Sequence, residues 1–198
     1  MVKKVWFILL AIILLPTVSA AKYEKGDYKI FALGDSEELT EEKYNYLVET
    51  GELRKGMFDT CTFFETVIAD EKFNVFTYFY NGQLYEISFS SKNKVNASYY
   101  DTTLKNLMMG KVKPIFTELY GSPTFDFGYP NFLGLKEGYI HFICHWEIGK
   151  KKISLGISPY EYKYSGKIII VDTELEKQKE EEEAAEEAAA RQKSTADF

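Results

Sequence analysis

Cysteine, histidine and tryptophan are scarce in this 198-residue chain, with two of each. Two cysteines exclude the disulfide-dense scaffolds of very small secreted domains, and also four-cysteine zinc sites. Two histidines leave few combinations for a histidine-based metal centre. A Gly-x-Ser-x-Gly elbow, a phosphate-cradling glycine loop and a dinucleotide fingerprint are all missing. The expectation is therefore a protein with no cofactor and no metal. Beyond residue 15 no apolar run approaches the roughly 20 residues that a membrane-spanning helix needs. Nor is there an excess of base: 24 Lys and Arg face 30 Asp and Glu, for a formal charge of −6. That balance argues against nucleic acid or anionic lipid as the main partner, because both demand a basic surface.

What is present begins with a leader. Lys3 and Lys4 give a positive start, residues 5–15 form an unbroken apolar run, and Pro16 ends it. Val18, Ser19 and Ala20, followed by Ala21, supply the small residues that a signal peptidase groove accepts. Residues 1–20 thus have the three zones of a cleavable secretory signal peptide. Their apolar run is too short for an anchor. The mature protein is expected in the periplasm or outside the cell, with no stable membrane span. Loss of Lys3 and Lys4 takes the formal charge from −6 to −8. Residues 174–198 hold nine acids against four bases, which leaves about −3 for residues 21–173, a length suited to one domain.

Fifteen Tyr and fifteen Phe favour strands and large buried contacts. Residues 28–33 alternate weakly, as a short strand would. Asp35, Ser36 and Thr40 are helix-start signals; Tyr44, Leu47 and Val48 recur at helical spacing, and Gly51 is a natural stop. Residues 60–68 are dense in β-branched and aromatic side chains. Residues 73–80 and 83–89 flank Asn81-Gly82, the pair best suited to a type I′ hairpin turn. Residues 98–120 return to the helical period, with a kink or a break expected at Pro114. Strands follow at 139–148, 152–157 and 167–171. The fold class this predicts is α+β, an antiparallel sheet of five or six strands with helices on one face. Residues 174–198 are rich in Glu, Ala, Lys and Gln, good helix formers without an apolar stripe. They predict a solvated charged helix or a disordered tail.

Few residues offer chemistry. Cys61 and Cys144 lie on predicted strands, and an even count in an oxidising compartment predicts a disulfide between them. His141, Cys144, His145 and Glu147 resemble a metal cluster until strand geometry is applied. Residues 141, 145 and 147 share a face there, but positions four apart are roughly 13 Å from each other, too far to grip one zinc ion. The simpler arrangement puts Phe142, Cys144, Trp146 and Ile148 in the core and both histidines at the surface. Tyr160, Tyr162 and Tyr164 alternate, as do Tyr78 and Tyr80. An exposed tyrosine stripe presents flat apolar faces with polar tips, a surface suited to binding.

The run 78–87 with Asn81-Gly82 at its centre, then 119–123 with Gly121-Ser122-Pro123, then Trp146 ahead of Ile153 and Leu155, resembles small exported bacterial α+β proteins of unknown function. The resemblance covers about half of the mature chain and implies no activity. The functional expectation is an exported, non-catalytic binding module. Its partner would be another envelope or extracellular protein, met through the tyrosines or the acidic tail. The alternative is a small exported hydrolase that uses His141 or His145 as base beside a carboxylate.

Overall fold

The computed structural model describes residues 22–58 and 61–196. The leader, residues 1–20, lies outside them. The chain runs α1 (Glu37–Glu49), β1 (Arg54–Phe58), β2 (Cys61–Ile68), β3 (Glu71–Tyr80) and β4 (Gln83–Ser91), then a helical stretch over 97–120. It continues through β5 (Phe125–Asp126), β6 (His141–Ile148), β7 (Lys151–Tyr160), β8 (Lys163–Asp172) and α3 (Thr173–Ala196). All eight strands form one antiparallel sheet in the order β1-β2-β3-β4-β8-β7-β6-β5. The sheet is open. Each half of the chain is a helix followed by a four-stranded meander, and the two final strands, β4 and β8, join the halves.

The expectation of five or six strands is corrected by this sheet. β1 is an edge strand of sequence Arg-Lys-Gly-Met-Phe and β5 spans two residues of a loop. Neither carries apolar alternation, because an edge strand is held by its neighbour's ladder rather than by a buried face. Residues 28–33 are not a strand. Tyr28 bridges Phe31 across a tight turn with Lys29 at φ 52°. α1 and the helical stretch share the core face of the sheet, and α3 is tied across the other by Glu176 to Lys152 and Glu182 to Tyr80, so the tail is docked over its first turns and not wholly solvated.

Register explains the core. Val75, Phe89, Ile168, Leu155 and Cys144 are successive cross-strand partners from β3 to β6, and Thr77, Ile87, Ile170, Ile153 and Trp146 form the next row. Apart from Thr77, all are buried, under Phe31, Tyr44 and Leu47 on one half and Tyr100, Met108 and Phe116 on the other. A burial this continuous is the main stabilising term of the fold. Ser36 caps α1, its side chain accepting from the Leu39 amide at 3.2 Å. Pro114 falls in the first turn of α2 (Lys113–Tyr120), where a π-helical stretch over 100–112 gives way to α-helix. The helix runs on through Pro114: Val112 and Lys113 keep right-handed helical dihedrals and the Lys113 amide donates to the Met108 carbonyl, so the proline coincides with a change of winding and not with a stop.

Asn81 and Gly82 have φ of 49° and 71°, as the sequence predicts for the β3–β4 turn. The β7–β8 turn has the same left-handed pair without the residues that favour it: Glu161 at 50° and Tyr162 at 60°. Such strain in a non-glycine residue costs on the order of 1 kcal/mol or more. Replacing Glu161-Tyr162 with Asn-Gly is expected to raise the stability by about 1–2 kcal/mol in denaturant unfolding. An unchanged midpoint would mean that the turn is unstrained.

Candidate functional site

The exposed tyrosines do not make one stripe. Tyr160 and Lys163 close the β7–β8 hairpin, so the turn between them interrupts the alternation. Tyr162 stands 91% exposed at the tip and Tyr160 54%. Tyr164 turns inward, its ring 5.2 Å from that of Tyr100 and 5.4 Å from that of Phe132. It is a pillar rather than a contact.

That pillar positions a neighbouring loop. The Tyr100 hydroxyl donates to the Pro130 carbonyl at 2.8 Å, and the Tyr129 hydroxyl donates to the Tyr100 carbonyl at 2.9 Å. Burial pushes the Tyr100 hydroxyl up to about 12 and raises Tyr129 as well, so both stay neutral donors at any physiological pH. The Lys136 amide donates to His141 Nε2 at 2.8 Å, and the Glu161 amide donates to the Glu137 carboxylate at 2.9 Å. The loop over 128–140 is thereby tied to the hairpin tip. It presents Leu133, 88% exposed, and Tyr139, 66% exposed. Lys94 sits over the Tyr160 ring with its ammonium 5.3 Å from the centroid. Leu133, Tyr139, Tyr160 and Tyr162 therefore crown one end of the sheet. Sequence reasoning missed Leu133 and Tyr139, because exposure within a glycine-rich loop leaves no periodic signal.

The histidines are divided by a bulge. The register shifts between Phe142 and Cys144, so His141 pairs with inward-facing Ile157 while His145 pairs with Ser154 on the other face. The single face expected for 141, 145 and 147 does not exist. Ile143 takes a core place, Cys144 and Trp146 are buried as expected, and Phe142 and Ile148 are exposed. His145 lies between the rings of Phe125 (4.7 Å) and Phe127 (5.6 Å), with Nε2 3.5 Å from Glu147 Oε1. No hydroxyl or thiol is hydrogen-bonded to its ring among the described residues, so the arrangement supplies a base without a nucleophile beside it. Among the described residues there is also no group of three His, Cys, Asp or Glu that can hold a metal.

Cys144 is buried, and burial pushes its thiol up to about 11. The side chain of Cys61 lies outside the described residues. The strand order sets β2 and β6 five places apart, roughly 24 Å across a flat sheet. A disulfide tolerates about 7 Å between Cα atoms, so a bridge within one chain requires the sheet to curl onto itself.

The tail is helical from Thr173 to Ala196. Asp172 caps it, accepting from the amides of Glu174 and Leu175. Its first turns cross the opposite face of the sheet from the core. Glu174 pairs with Lys150, Glu176 with Lys152, and the Tyr80 hydroxyl donates to Glu182 at 2.6 Å. No helix among the described residues is long and apolar enough to cross a membrane. No family model matches this chain, and neither a curated protein nor a solved structure is significantly similar to it.

Proposed function

We propose that this is an exported binding module that works by contact at the aromatic end of its sheet. The observation that carries this reading is Tyr162. A bulky side chain at positive φ is held 91% exposed, where glycine or asparagine would relieve the backbone. The hairpin turn needs the left-handed backbone but not a large ring, so an exposed tyrosine there supports a use outside the fold. Leu133, Tyr139 and Tyr160 enlarge the apolar surface around it, and the Tyr100 and Tyr164 rings hold its two halves together. The partner belongs to the envelope or the extracellular space, the compartment to which residues 1–20 direct the chain. α3 offers a second contact, whose acidic outer turns are solvated.

The test places a photoreactive phenylalanine analogue at position 162 in the chain expressed with its own leader. A second chain carries it at Glu38, an exposed residue in the first turn of α1. The expected result is a mature protein beginning at Ala21 in the extracytoplasmic fraction, with adducts from position 162 and none from position 38. Equal adducts from both positions, or none from 162, would overturn the reading.

A further inference from the structure

We infer that the aromatic end seats on the surface of a phospholipid bilayer; the inference rests on the binding reading above and names its partner. Shape is the first argument. Residues exposed by 88% and 91% stand out at turn tips and do not line a groove. A rigid protein partner needs pockets to receive such tips, whereas a lipid headgroup layer parts around them. Composition is the second. Leucine and tyrosine with lysine alongside are the side chains that partition at a membrane interface, rings at headgroup depth and ammonium groups reaching for phosphate. Lys94 over Tyr160, with Lys136 and Lys163 flanking the two tips, supplies that arrangement.

Charge placement is the third argument. Lys94, Lys136 and Lys163 are nearly offset by Glu137 and Glu161, so this end is close to neutral although the chain carries −6. The acidic helix starts at the other end of β8, ten residues from the tip, or about 33 Å along an extended strand. Bound tip-first, the protein holds its repulsive acids beyond several Debye lengths from the lipid. Attachment then depends on apolar insertion of Leu133 and Tyr162 and is largely insensitive to salt and to anionic lipid.

The experiment is flotation of the full mature chain with phosphatidylcholine vesicles, and with vesicles that also contain phosphatidylglycerol. The chain is expected to float with both. Leu133→Ser with Tyr162→Ser should weaken flotation roughly tenfold or more, as loss of two inserted side chains implies. Leu119→Ser, an exposed leucine on α2 away from the tip, should leave it unchanged. An environment-sensitive dye on Leu133→Cys should shift to the blue when vesicles are added. The proposal fails if the chain does not float, if the double variant floats like the parent, or if binding needs phosphatidylglycerol and is lost in about 0.5 M salt. Protein adducts from position 162 without flotation would remove the lipid and leave the binding module standing.

Discussion

Asp35→Ala is expected to destabilise the protein by about 3–5 kcal/mol, whereas removal of both Asp35 and Lys43 costs far less. Lys43 Nζ and Asp35 Oδ2 are 2.7 Å apart with side chains only 8% and 9% exposed. The same carboxylate oxygen accepts from the Ala32 amide at 2.8 Å. Asp35 is also stitched to β4, its carbonyl accepting from the Leu84 amide at 2.7 Å. The pair therefore sits where the N-terminal loop, α1 and the sheet meet. Taking away the carboxylate leaves a buried ammonium without its counter-ion and a backbone amide without its acceptor. Asp35→Asn with Lys43→Met removes both charges and keeps an oxygen for Ala32. Denaturant midpoints for Asp35→Asn alone, Lys43→Met alone and the two together give the coupling energy. A double-variant loss equal to the sum of the two single losses would show that the two charges do not depend on each other.

Alkali gives the second large effect. Tyr28 and Tyr44 are each pushed up to about 12 from the ordinary 10.0, chiefly by burial. Tyr28 shares a hydrogen bond with Thr66 Oγ1 at 2.6 Å and its ring meets Phe89, while Tyr44 stacks on Phe64. A folded-state value above the unfolded one favours the neutral ring in the folded protein. This stability is fully present below pH 10 and is lost as pH rises through about 12. Two units correspond to about 2–3 kcal/mol per ring, so the pair withdraws on the order of 5 kcal/mol, comparable with the whole stability of a small domain. Near-ultraviolet circular dichroism is expected to collapse between pH 10 and 12. Tyr28→Phe with Tyr44→Phe should move that collapse to higher pH, since phenylalanine has no proton to lose. Collapse at the same pH in the variant would place the alkaline weakness elsewhere.

What the sequence disclosed was local. Asn81-Gly82 announced a hairpin because positive φ is a property of those two residues, and Ser36 announced α1 because an N-cap is made by its own side chain. Pro114 marked only the place where the winding changes from π to α, because the helix continues through it. The parts that stayed hidden depend on a neighbour. β1 and β5 exist through the ladders of β2 and β6, and the bulge at Phe142 and Ile143 is set against β7. The candidate site divided along the same line. Tyr160 and Tyr162 were visible as exposed tyrosines. The turn itself, Glu161-Tyr162, lacks glycine and asparagine, so residues 158–166 read as a connection between two strands, with nothing to mark where the chain reverses or that Tyr164 turns inward. Leu133 and Tyr139 became part of the surface only once Tyr100, Tyr164 and His141 had tied their loop to the hairpin.

The seam between β4 and β8 has a consequence for the order in which the chain is made. Synthesis and any translocation deliver the amino-terminal half first, and its four strands close on local contacts alone. Its last strand must then wait about eighty residues for the neighbour that covers its ladder, since Glu86 to Ser90 pair with Lys167 to Val171. Through that interval Ile87 and Phe89 border an unpaired apolar edge, the kind on which nascent chains aggregate. A half-made copy therefore offers its open edge to any other copy at the same stage. Crowded synthesis favours pairing between chains, and the seam closes within one chain only when its second half arrives before a neighbour does.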